Sequence, residues 1–111
     1  MNRGAVVATV TLLGLGGGAR AADTAPGKVL FEQHCAVCHA AGAGHAGTMR
    51  LTQARGAAQA VLEERTDLDP AYIRIVVRQG LVEMPPWRPT EIDDAALSQI
   101  TAYLTRPASQ R

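Results

Sequence analysis

The chain has 111 residues, enough for one domain and too few for two. Eleven Lys and Arg stand against ten Asp and Glu, a formal charge of +1, so nothing favours nucleic acid, which asks for a basic excess on one face. Only four aromatic residues, Phe31, Tyr72, Trp87 and Tyr103, are present, and a small chain with so little to bury usually needs a staple, a metal or a cofactor.

The N-terminus reads as a secretory signal. Arg3 supplies a positive n-region, Ala5 to Leu15 is apolar and uncharged, and Ala19-Arg20-Ala21 is a small-x-small cleavage pattern. A membrane anchor is the competing reading, but the run is short and Gly14, Gly16, Gly17 and Gly18 weaken any helix there. Residues 1–21 are therefore expected to be cleaved after Ala21, leaving 22–111 as a single exported domain with no transmembrane anchor. Removal of Arg3 and Arg20 brings its formal charge to −1. Such an exported protein is expected to be periplasmic, in an oxidising compartment where two bare cysteines tend to pair unless something occupies them.

Residues 22–26 read as a loose start, and a first short helix is expected over 28–35. Residues 39–47 are rich in Ala and Gly without periodicity and predict a loop. Good helix formers over 54–65 predict a second helix, its start blurred by Gly56. The third is well punctuated: Asp69 suits the N-cap, Pro70 the first position, and Gly80 the stop after 71–79. A stiff loop with Pro85, Pro86 and Pro89 leads to a last helix, capped at Asp93 or Thr90 and stopped by Pro107. Leu97, Ile100, Tyr103 and Leu104 mark its buried face. No strand alternation interrupts this, so the fold class is all-α with about four helices.

The chemistry is concentrated in Cys35-Ala36-Val37-Cys38-His39, the c-type haem attachment run. Two thiols on one turn of helix can reach two neighbouring vinyl groups, and the next residue sets an imidazole under the iron. The same cysteines could instead form a dithiol redox site, but that expects a βαβ context. A zinc site would have only His34, His39 and His45 to complete it, and His39 follows a cysteine too closely for easy tetrahedral geometry.

Of the three methionines, Met1 leaves with the signal. Met49 sits ten residues after His39, in the loop on the His39 side. Met84 follows the Gly80 helix stop and is backed by Pro85-Pro86. A weak thioether ligand gains from such a stiff loop, because less entropy is lost on ordering it. His39 and Met84 are therefore the expected axial pair, an arrangement known for electron transfer. His34 and His45 are weaker candidates. Trp87 could cover the haem face, donate to a propionate, or simply fill the core. Arg50, Arg55 and Arg88 could pair with propionates or stay solvated.

With these residues in order, the chain resembles class I cytochrome c from Gly27 to Leu104. Gly27 and Phe31 precede the attachment run, Met84-Pro85 follows a helix, and Tyr103 lies in the last helix. The resemblance implies a few helices around one covalently attached haem c, with first and last helices crossing closely at Gly27, and Phe31 and Tyr103 packed there. Within the family, 69–104 resembles the small cytochrome subunits of bacterial flavocytochrome dehydrogenases such as p-cresol methylhydroxylase. One departure stands out. The family often has a proline after the proximal histidine whose neighbouring carbonyl orients the imidazole. None lies between His39 and Leu51, so another backbone carbonyl is expected to accept from His39.

A six-coordinate iron leaves no place for substrate, so the expected role is an electron carrier and not an enzyme in its own right. Its partners would be a dehydrogenase as donor and an oxidase or another cytochrome as acceptor. A tightly bound electron-accepting subunit of a flavoprotein dehydrogenase is the alternative. A haem sensor or peroxidase, which needs a weak or missing sixth ligand, is disfavoured by the Met84 loop.

Overall fold

A computed structural model describes residues 25–110, so the expected signal segment lies outside the described residues. The described chain is helical. It comprises α1 (Ala25–His34), α2 (Ala36–His39), α3 (Ala46–Arg55), α4 (Pro70–Gln79) and α5 (Asp94–Thr105), with short 3-10 turns at Ala57–Gln59, Leu62–Glu64 and Ala108–Gln110. The lone β contact among these residues is an isolated bridge between Leu81 and Met84. None of the described helices is long and apolar enough to cross a membrane.

The punctuation of the second half is met as expected. Asp69 accepts from the Tyr72 backbone N–H at 2.8 Å and Pro70 opens α4. Asp93, and not Thr90, caps α5, accepting from Ala96 N–H at 2.7 Å. Each side chain satisfies a donor that the first turn leaves without a partner. Gly80 ends α4 at φ 77°, ψ 170°, its N–H still bonded to Val76 carbonyl. Only glycine occupies that backbone region readily.

The first half differs from the sequence reading. The first helix starts at Ala25, earlier than 28. The expected loop over 39–47 contains the start of α3, and the helix expected over 54–65 is replaced by the end of α3 and two 3-10 turns. Gly56, at φ 88°, ψ 160°, breaks the run where formers on both sides had suggested continuity. In α3 Thr48 alone is buried, so α3 carries no apolar period for a sequence reading to detect.

The core is one cluster of Phe31, Ile73, Val77, Ile92, Leu97, Ile100, Tyr103 and Leu104, drawn from α1, α4, α5 and the loop that leads into α5. Its centre is the crossing of α1 and α5. A Cβ on Gly27 would lie 2.8 Å from Tyr103 Cβ and would also run into the Gln99 carbonyl, so only glycine lets the two backbones approach this closely. Phe31 and Tyr103 meet there with ring centroids 6.0 Å apart, tilted by 51°, within the range of favourable aromatic pairs. By contrast, Thr48 and Ala60 are the only buried residues between 36 and 64.

Candidate functional site

The attachment run sits where α1 passes into α2. Cys35 N–H bonds to Phe31 carbonyl at 2.8 Å, continuing the turn of α1. Cys35 carbonyl then accepts from both Cys38 N–H (3.1 Å) and His39 N–H (2.9 Å). Both cysteines and the histidine therefore belong to one tight turn anchored on the core residue Phe31. Val37, between the thiols, is 74% exposed, and Cys38 is exposed while Cys35 is half-buried.

Burial, reinforced by Cys38, pushes the Cys35 thiol up to about 11. A dithiol exchange site needs the opposite, a thiolate available near neutral pH. Zinc has no support either: among the described residues no three His, Cys, Asp or Glu are grouped to hold a metal ion. The bland alternatives for Cys-x-x-Cys thus lose ground on chemistry.

His39 is held by the start of α3. A Cβ on Gly47 would fall 2.6 Å from His39 Cε1, 2.9 Å from His39 Nδ1 and 2.8 Å from Cys38 carbonyl oxygen. The bare Gly47 backbone therefore lies directly against that edge of the imidazole. The loop between is pinned by Thr48 Oγ1, which donates to Ala40 carbonyl at 2.8 Å, and by His45 Nδ1, 3.1 Å from Val37 carbonyl. Burial lowers the His39 pKa, favouring the neutral imidazole that a metal requires. Its Nδ1 is buried with no hydrogen-bond partner. The expected backbone acceptor is thus not found, and the Gly47 backbone lies along that edge of the ring.

Met84 lies on a loop clamped from several sides. Leu81 N–H bonds to Met84 carbonyl at 3.0 Å and Met84 N–H to Leu81 carbonyl at 2.9 Å. Trp87 N–H reaches back to Val77 carbonyl at 2.8 Å. Arg78 closes the other side, donating to Trp87 carbonyl at 3.1 Å and to Asp94 at 2.6 Å. Val82 sits at φ 53°, an unfavourable conformation for a β-branched residue. Met84 itself is half-buried against the core.

Trp87 also packs on the core, and its ring meets His34 edge-on at 6.1 Å. His34 is thus engaged with an aromatic partner. His45, the other weaker ligand candidate, is half-buried and ties its loop to α2 through Val37 carbonyl. Met49 is 47% exposed and borders a cleft of about 440 Å³ walled by α3, Gly42, Ala43, Ala57, Ala60 and Val61. Of the arginines, Arg50 faces Glu83 at 3.5 Å and Arg88 faces Glu91 at 3.6 Å. The Arg50–Glu83 pair joins α3 to the Met84 loop. The sequence reading missed Gly47, Thr48 and Arg78 as supports. A glycine inside an otherwise helix-compatible stretch was the one available signal for the first.

The donor set suits an iron porphyrin on three counts. A half-buried imidazole, its pKa lowered by burial, stands next to two thiols, a methionine rests on a stiff loop, and the segment 36–64 buries almost nothing of its own. A family model described as cytochrome c oxidase, cbb3-type, subunit III matches residues 22–104. The chain belongs to this cytochrome c family. Membership implies haem c as cofactor and makes the chain a haem-binding electron-transfer protein. Among curated proteins this cytochrome is similar to the 4-cresol dehydrogenase [hydroxylating] cytochrome c subunit of Pseudomonas putida, 33% identical over 87 residues. That alignment covers 76% of this chain and 65% of the relative. No solved structure matches the chain significantly.

Proposed function

We propose that the chain is an exported monohaem cytochrome that carries one electron on a haem bonded through Cys35 and Cys38 and ligated by His39 and Met84. The observation that carries this reading is the division of the core. The α1–α4–α5 cluster is dense, while 36–64 has only Thr48 and Ala60 buried, so that half needs a large apolar group to fold against. The haem supplies the one-electron iron couple, and ligand identity, burial and hydrogen bonding set its potential. The chain's part is to hold two ligands rigidly, so that little rearranges when the charge changes. The tight turn at Cys35–His39 does so on one side and the Arg78-clamped loop on the other. Trp87, between that clamp and His34, is assigned to shielding the Met84 side of the site.

A second role, as electron-accepting subunit of a dehydrogenase, is favoured by the resemblance to the 4-cresol dehydrogenase cytochrome subunit. Both roles use the same haem chemistry. They separate in size-exclusion chromatography of native extract, where a subunit runs with its dehydrogenase and a free carrier runs alone.

Acid–acetone extraction tests attachment: the haem stays with the polypeptide, and haem in the organic layer refutes the thioether assignment. The oxidised spectrum tests the sixth ligand. Met84→Ala abolishes the weak far-red sulfur-to-iron band, admits carbon monoxide to the reduced iron and lowers the potential. Met49→Ala leaves all three unchanged. A far-red band that survives in Met84→Ala sinks the Met84 assignment.

A further inference from the structure

We propose that Gly47 is the positioning residue of His39, its bare Cα fixing the plane in which the imidazole meets the haem iron. The inference rests on His39 as the proximal ligand and goes beyond it by naming what orients the ring.

A ligating imidazole usually has its second nitrogen tied to a carbonyl, carboxylate or water, which sets both tautomer and ring orientation. Here His39 Nδ1 is buried without a partner. Rotation of the ring about its bond to the backbone is limited by contact with the start of α3, and the contact is Gly47. A Cβ there would stand 2.6 Å from Cε1 and 2.9 Å from Nδ1, a separation real atoms do not tolerate. On its third side it would meet Cys38 carbonyl at 2.8 Å, which belongs to the attachment turn and cannot yield cheaply.

Backbone conformation does not require glycine at this position. Gly42, Gly56 and Gly80 are the described glycines with positive φ, and Gly47 is not among them. It lies in the first turn of α3, where alanine would favour the helix by roughly 1 kcal/mol. The reason for glycine is therefore space beside the His39 ring and the Cys38 carbonyl that precedes it. The approach is enforced by Thr48, 5% exposed, whose hydroxyl holds Ala40 carbonyl, and by the His45–Val37 contact. The ring is thus wedged between the attachment turn and the start of α3.

Gly44 supplies the control. It is in the same loop, has no positive φ, and a Cβ there meets nothing within 4 Å. In the oxidised holoprotein, Gly47→Ala shifts the electron paramagnetic resonance g-values and redistributes the hyperfine-shifted haem methyl resonances, both of which read the plane of the axial imidazole. The haem remains covalently attached, and Gly44→Ala gives the wild-type spectra. A Gly47→Ala protein with wild-type g-values and methyl shifts overturns the proposal, even if its melting temperature falls. If Gly47→Ala accumulates without haem, Thr48→Val carries the test. It removes the hydroxyl that holds Gly47 in place, and the same resonances move in a smaller step; unchanged resonances overturn the proposal. A wild-type protein without histidine-ligated low-spin haem refutes the proposed function itself, a result separate from either variant's behaviour.

Discussion

At the residue scale, glycine backbone and glycine space act differently. Gly56 and Gly80 share a conformation closed to other residues, but their surroundings are opposite. A Cβ on Gly56 meets nothing within 4 Å, whereas one on Gly80 would lie 2.7 Å from Met84 carbonyl oxygen. Gly56→Ala should therefore cost about 1–3 kcal/mol of stability from backbone strain alone and leave the far-red band intact. Gly80→Ala should cost at least as much and also weaken that band, because its side chain displaces the Met84 backbone. Denaturant unfolding and the oxidised absorption spectrum, recorded together, separate the two. Equal spectra in both variants would show that the Gly80 contact does not reach the sulfur.

At the element scale, the α1–α5 crossing depends on one missing methyl. Gly27→Ala would force the helices apart at the Phe31–Tyr103 pair, and overpacking of this kind costs typically about 1–3 kcal/mol. The expected loss appears as a lower denaturation midpoint, and an unchanged midpoint would mean that the crossing adjusts freely. Tyr103 hydroxyl also donates to Glu63 carboxylate, tying the otherwise thinly packed 57–64 segment to the crossing. The Arg65–Asp67 pair makes two contacts of 2.8 Å. Bonding to Arg65 holds the Asp67 carboxyl below its ordinary range. A depressed carboxylate pKa stabilises the fold above the unfolded value, and that contribution is lost as pH falls through the folded one. The stability difference between wild type and Asp67→Asn should accordingly be present at neutral pH and shrink below about pH 4. Asp67 is an exposed partner, so the difference is small and should decline further with salt.

For the whole molecule, the contrast between a packed α1–α4–α5 cluster and a sparse 36–64 segment predicts how the haem-free chain behaves. With Cys35 and Cys38 both replaced by Ala, attachment is lost and the chain should lose most of its helical signal in far-ultraviolet circular dichroism. Any remaining amide protection should lie in α1 and α5, where the buried side chains are concentrated, with α3 exchanging freely. A colourless variant with native helicity, or one with α3 protected, would contradict the assignment of the haem as part of the core.

The sequence alone determined the features written in contiguous residues. The attachment run at Cys35–His39 is a fixed local spacing. The cap at Asp69 satisfies a donor within its own first turn, and the buried stripe of α5 is a helical period, so each was legible without a fold, while the cap of α5 was narrowed to Asp93 or Thr90. The crossing at Gly27 was legible through resemblance to a family. What tertiary structure decided has no local period. The α3 helix buries Thr48 alone, so no apolar repeat announces it, and helix formers over 57–64 proved weaker than the break at Gly56. The support of His39 by Gly47 depends on a loop folding back over α2. The clamp on Met84 depends on Arg78 bridging two elements that lie apart in the chain. Such contacts are set by which surfaces meet in three dimensions, and side-chain spacing along the chain does not encode that meeting.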